Sequence, residues 1–267
     1  IGRKMLQNIA HVTAWSASVG VLYGSLRLLK ESVGSVIEMQ YQQARLGVVL
    51  RGSGSDAREL SDDVLKLAAA NGRGAEEAMQ AAVQWSRLGM TKSQVAKAVE
   101  VSLVAANVAE ITAAEATEKL SAIMVNYNLN AGQLEGVLGM LNNTSNKYNV
   151  TVAGLFDGLQ RVASVAKQAG LSLAETQAIL GATVGATGQT GANIGNSLKS
   201  FIGAISNEDT QKSLRSKFNI ETTAGGELKD ITTIINEMYV AYQNMSRAER
   251  QTMVFSTVGK NQASRIT

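Results

Sequence analysis

Apolar residues along this chain recur at intervals of three and four, and the runs are cut by short polar joints. From Arg3 to about Leu50 there is no strong breaker. Leu22, Leu26, Leu29, Val33 and Val36 fall there at helical spacing, which predicts one long helix, bent near Gly20 and Gly24. The polar knot RGSGSD (Arg51 to Asp56) ends it, and Asp56 with Glu59 forms a capping pattern for a helix toward Ala70. After the turn NGRGAEE a helix runs to Leu88. Further helical runs are predicted over 92–106, 113–126, 133–148, 152–169, 173–186 and 194–206. In KFNIETTAGGELKD, β-branched residues flank Ala-Gly-Gly and predict a small hairpin near 218–229. Helices over 231–244 and 247–258 follow, the second capped by Ser246 and Glu249.

Two joints share a grammar. RLGMTKSQ (87–94) and KQAGLSLAE (167–175) both read glycine, apolar residue, Ser/Thr, two residues, then Gln/Glu. Gly89 and Gly170 can take the left-handed conformation just past a helix end, while Met90 and Leu171 fold back on the last turn. Thr91 or Ser172 then caps the next helix, and Gln94 or Glu175 reaches back to complete the box. Each joint is expected to be a tight corner between two helices.

Composition sharpens this into a fold class. The 267 residues contain no proline, where average usage of about 5% would give roughly a dozen, and only 4% aromatics. The expected architecture is all-α. It is a multi-helix bundle of short antiparallel helices, preceded by the long N-terminal helix and carrying the small hairpin. The expected organisation is 1–50 as the long helix, 51–206 as a helical core module, and 207–267 as hairpin and helices. The chain opens on Ile1 and stops within what reads as an unfinished helix, KNQASRI, so it is expected to be a fragment of something longer.

Candidate chemistry is sparse. Cysteine is absent, which removes disulfides, thiolate nucleophiles and Cys-based metal sites. The net charge of +3 is thinly spread, and no Lys/Arg cluster alternates with aromatics as a nucleic-acid surface would require. His11 is the only histidine, so no Ser-His-Asp or multi-histidine constellation can be built, and the acids sit singly on helix faces. No catalytic, cofactor-binding or metal residue is therefore assigned, and neither an enzyme activity nor a small-molecule substrate is expected.

Three stretches invite a sharper reading. GATVGATGQTG (181–191) has the glycines of a phosphate loop, but Ala192 follows where a lysine is needed, and a capped helix precedes it rather than a strand. Packing of Gly181, Gly185, Gly188 and Gly191 against a neighbouring helix or another copy is the expectation. NYNLNAGQLEGV (126–137) alternates oxygen side chains like a calcium loop, yet the positions that need glycine and glutamate hold Ala131 and Val137; a capped helix turn fits better. Ile9 to Leu29 carries only His11 as a possible charge before Arg27 and has a Gly20-xxx-Gly24 pair, which fits a membrane helix. Thr13, Ser16, Ser18 and Ser25 favour a buried helix instead.

The order and spacing of these joints resemble the core region of the tail tape measure proteins of long-tailed phages. The matching segments are ELSDDVLKLAAANGRGAEEAMQAAVQWSRLGMT (59–91), AAEATEKLSAIMVNYNLN (113–130) and GLFDGLQRVASVAKQAGLSLAETQAILGATVGATGQTGANIGNSLKSFIGAI (154–205). FNIETTAGGELKDITTIINEM and VFSTVGKNQASRI look like the usual ending of that region. The similarity runs from about Glu38 onward.

That resemblance implies a structural virion protein in the tail lumen or tail tip, made in the host cytoplasm. It would set tail length during assembly and leave through the tip to assist genome ejection. The implied partners are other copies of itself, the tail tube protein, tail tip or baseplate hub proteins and tail assembly chaperones, with the host membrane or envelope met on ejection. A ruler works by extension at about 1.5 Å per helical residue, whereas this segment is broken into short helices and reads as a folding module. If compact, it would be roughly 45–50 Å across, a tight fit for a tail tube. Two other readings stand beside this one: a membrane-inserting or pore-forming form using Ile9 to Leu29 and the uncharged Thr176 to Leu198, and an unrelated helical scaffold.

Overall fold

A computed structural model describes residues 37–50 and 54–258. Among the described residues are twelve α-helices, one 3-10 turn and one short hairpin. They are α1 (37–49), α2 (Gly54–Ala70), α3 (Ala75–Ser86), α4 (Lys92–Ala109), α5 (Ala113–Asn126), a 3-10 turn (Ala131–Gln133), α6 (Leu134–Tyr148), α7 (Val152–Gln168), α8 (Leu173–Thr187), α9 (Gly191–Ile205) and α10 (Glu208–Phe218). Then come β1 (Thr223–Ala224), β2 (Glu227–Leu228), α11 (Ile231–Gln243) and α12 (Arg247–Val258). This is the all-α bundle with a small hairpin that the spacing predicts.

Short joints turn the chain between helices, and the core is built where helices pack on their neighbours and on the next helix but one. Helices α2 to α5 pack together around Trp85, Met79, Leu60 and Leu103, all fully buried. The Trp85 Nε1–H donates to Ser102 Oγ at 2.9 Å, and Ser102 Oγ donates to the Ala98 carbonyl at 2.8 Å. The one polar atom of the largest core side chain is therefore satisfied without water. Helix α5 packs on α7, α6 on α8, and α7 on α9, carrying the same apolar core through Phe156, Leu159 and Leu180 to Ile202 and Ile205. Helix α12 seats on α9 by Met253, so the segment beyond 206 shares this core as well.

Several boundaries differ from the sequence expectation, each for a local reason. Helix α4 runs on to Ala109, because Glu110 takes a left-handed conformation (φ +56°) to end it. Helix α9 begins at Gly191 rather than Ile194, with Thr190 Oγ1 accepting from the Asn193 N–H at 3.3 Å. Asp56 stands inside the first turn of α2, and the Glu59 carboxylate meets Lys92 Nζ at 2.7 Å instead of closing a box. The hairpin is shorter than 218–229: Thr223 pairs with Leu228 and Ala224 with Glu227 around Gly225 and Gly226, both at positive φ as a two-residue turn needs. Of the long helix expected over 3–50, residues 37–49 are helical and Leu50 is a turn; residues 3–36, with His11 and Ile9 to Leu29, and the segment KNQASRI lie outside the described residues.

Candidate functional site

The corner at 167–175 is built as its sequence proposes. Gly170 sits at φ +87°, and the Leu171 N–H reaches back to the Ala166 carbonyl at 2.9 Å, burying Leu171 against the last turn of α7. The Ser172 N–H donates to Glu175 Oε2 at 2.9 Å and the Glu175 N–H to Ser172 Oγ at 3.2 Å. Thr91 and Gln94 repeat the box, but α3 ends at Ser86 rather than Leu88 and Gly89 (φ +74°) follows three residues later, its N–H bonding the Ser86 carbonyl at 3.1 Å; Thr112 with Glu115 adds a third box before α5. That third box was open to sequence reasoning, since Thr-x-x-Glu stands there in plain view.

Past this corner the glycines divide into two kinds. Gly188, expected to pack, is instead the left-handed end of α8 (φ +65°) with open space where a side chain would be. Gly181 and Gly185 face α6: a Cβ on them would lie 2.5 Å from Thr144 Cγ2 and 2.7 Å from the Tyr148 carbonyl oxygen. Gly191 and Gly195 face α7 at an even closer approach. A Cβ at 191 would lie 1.7 Å from the Gly154 oxygen, and one at 195 would lie 2.4 Å from the Gly158 oxygen. Both helices thus carry a glycine pair four residues apart, and their backbones touch where the pairs meet, an arrangement only small residues permit. The start of α9 is occupied by this contact. No lysine or arginine lies between Thr176 and Leu198 to attract an anion there.

The titratable groups serve as caps and ion pairs. Hydrogen bonds from their own cap residues hold Glu115 (chiefly the Thr112 N–H), Glu175 (chiefly the Ser172 hydroxyl) and Glu249 (chiefly the Ser246 hydroxyl) below the ordinary carboxylate value. Asp230 is lowered in the same way, first by the Thr232 hydroxyl. Burial pushes the Tyr127 phenol up, and its O–H donates to Thr176 Oγ1 at 2.9 Å. In the calcium-like stretch, Asn128 is left-handed (φ +53°), the Asn130 N–H donates to Gln133 Oε1 at 2.9 Å, and Glu135 pairs with Lys97 at 3.1 Å. That segment is a capped helix turn. Among the described residues no three His, Cys, Asp or Glu side chains come together as a metal site would require.

Residues 55–259, most of the chain, match the phage-related minor tail protein family. The chain belongs to that family. It is a structural protein of the phage tail, and membership implies contact with other tail components. No solved structure matches it. Membership sets aside the unrelated-scaffold reading.

Two features of this minor tail protein bear on those contacts. An apolar cleft of about 320 Å³ opens between α8, α9, α11 and α12, with Ile179, Ile194, Phe201, Met238 and Tyr242 on its walls. The uncharged run Thr176 to Leu198 does not form one span: it is divided between α8 and α9 by the joint at Gly188. No helix among the described residues is long and apolar enough to cross a membrane.

Proposed function

We propose that this minor tail protein is the core module of a tape measure protein. The observation that carries the reading is the order of the three resembling segments, 59–91, 113–130 and 154–205, inside the region that matches the tail family. Their capped corners supply rigid geometry and no reactive group, as a module working by contact needs. In this reading the module anchors one end of a longer chain whose helical length sets the tail. Its partners are further copies of itself, the tube protein, the tip or hub and the assembly chaperones, in the tail lumen or at the tip. On infection it leaves through the tip and assists genome passage.

The test is tail length. Inserting a continuous helical segment of 60 residues outside 55–259 in the phage gene should lengthen tails by about 90 Å in electron micrographs. Tails of unchanged length, with the longer protein present in the virion, would overturn the tape measure assignment and leave a tail protein of another kind.

A further inference from the structure

A polar cleft of about 190 Å³ lies between α1 and α3, with Gln42, Arg45, Gln80, Val83, Gln84 and Arg87 on its walls. Gln42 is only 4% exposed, and its Nε2 donates to Glu38 Oε1 at 2.6 Å. That bond fixes the amide, because only its nitrogen can donate to the carboxylate, and the oxygen is left to the other side. The Gln42 and Gln84 amide oxygens are both buried, and neither accepts a hydrogen bond. Buried acceptors of this kind call for a donor.

The two arginines on the same walls call for an acceptor. Arg45 lies over the Tyr41 ring, 5.5 Å from its centre, which positions the guanidinium and leaves its N–H groups to donate. Arg87 is exposed, and among the described residues neither arginine is paired with a carboxylate. A second cleft of about 600 Å³ shares Arg87 with the first and carries Val48, Leu50, Leu88 and Met90. Val48 and Leu88 are 79% and 44% exposed. One continuous face therefore passes from paired amides, through two guanidinium groups, to an apolar hollow.

We infer that this face binds an extended acidic peptide segment of another protein. An Asp or Glu side chain of that segment sits between Arg45 and Arg87, a backbone N–H donates to the Gln42 oxygen, and an apolar side chain two residues on enters the second cleft. The volume of the polar cleft fits one inserted side chain and falls below the roughly 300–1,000 Å³ of small-molecule sites. A carboxylate meets both guanidinium groups with charge-assisted bonds. The amide oxygens decide between peptide and nucleic acid: a phosphodiester offers only acceptors, whereas a peptide backbone brings donors as well. The spacing agrees. Val48 and Leu50 lie about 5–8 Å beyond Arg45 along the chain, and alternate side chains of an extended peptide are about 7 Å apart. This goes beyond the tape measure reading, whose test is tail length.

Selection of a displayed library of random twelve-residue peptides on the whole chain tests it. Enriched peptides should share an Asp or Glu followed two residues on by an apolar residue. By fluorescence anisotropy, a synthetic copy of the most enriched peptide should bind at least tenfold more weakly to Arg45→Gln and to Arg87→Gln. The thermal melt of Arg87→Gln should not move, since that side chain is exposed. Gln42→Leu should also weaken the peptide without lowering the melt, because it removes a buried oxygen that has no partner. Arg161→Gln, at an exposed arginine of α7, should leave the affinity unchanged. A twelve-nucleotide oligothymidine should bind at least tenfold more weakly than the peptide. Enrichment without an acidic residue, no enrichment at all, or equal losses with Arg161→Gln would each overturn the assignment. Tighter binding of oligothymidine, lost with Arg45→Gln and Arg87→Gln, would overturn it in favour of a nucleic-acid surface.

Discussion

Gly195 and Gly203 lie on the same helix, and the same substitution should move stability in opposite directions at the two positions. In an ordinary helix interior, alanine in place of glycine stabilises by about 0.5–1 kcal/mol through chain entropy. Gly203 is such a position: it is exposed, and a Cβ there would meet nothing within 4 Å. Gly195 is not. Its Cβ would lie 2.4 Å from the Gly158 oxygen and 2.9 Å from the Gly158 Cα, so α7 and α9 must part by about 1 Å to restore an ordinary contact. Overpacking of that kind costs about 1–3 kcal/mol, which outweighs the entropy gain. Gly195→Ala should therefore destabilise by roughly 1–2 kcal/mol, and Gly203→Ala should stabilise. Gly191→Ala, with only 1.7 Å to the Gly154 oxygen, should cost more than either, about 3 kcal/mol. Urea denaturation followed by far-ultraviolet circular dichroism measures all three. At about 2–4 °C per kcal/mol, thermal melts should split the Gly195 and Gly203 variants to either side of the parent. If Gly195→Ala were as stable as Gly203→Ala, the backbone contact between α7 and α9 would be wrong.

Two further perturbations address the joints. Gly89→Val and Gly170→Val should each lower the urea midpoint by the equivalent of at least about 1 kcal/mol, through strain at positive φ alone, since neither position is crowded; equal midpoints would dismiss the corners. Glu115, Glu175 and Glu249 have folded values below their ordinary 4.5, so the stability they add is present above that pH and is lost as pH falls through the folded value. The melting temperature should thus drop on acidification below about pH 4.5. Glu115→Gln with Glu175→Gln should make the drop shallower while keeping the caps, as Gln94 does naturally at the start of α4. An unchanged acid profile in that double variant would dissociate the caps from the titration.

Closures within a few residues are the most legible in the sequence, though Thr112 with Glu115 shows that not all of them are read. Gly89-Met90-Thr91 and Gly170-Leu171-Ser172 were legible because a left-handed glycine and a capping box depend on local hydrogen bonds alone. The pattern puts the start of α9 three residues late, because Thr190 caps through Asn193 and the glycine that follows it looks like a breaker. Gly188 was grouped with the packing glycines although it ends a helix; one glycine in a run does not reveal which task it has. The pairing of Gly154 and Gly158 with Gly191 and Gly195 was hidden for a different reason. The four-residue spacing stands in both segments, but nothing local says which helices cross. For function, the absence of a catalytic constellation followed from residue types, whereas the cleft between α1 and α3 needed packing to bring Gln42 and Arg45 beside Gln84 and Arg87.

Because α2, α3 and α4 each pack on the next helix in sequence, and α7 on α8, much of this protein has little to wait for while it folds. Each corner brings together segments only a few residues apart, so loop closure costs little entropy at each step and the bundle can grow from α2 onward in the order in which it is synthesised. The contact of α7 with α9 is a longer return, since it must reach across the whole of α8 before the two glycine pairs can meet. A chain interrupted at α8 would hold a nearly finished first half and an open face on α7. The α7–α9 contact thus closes the middle of the module at one place, before α12 returns to α9 to finish the core.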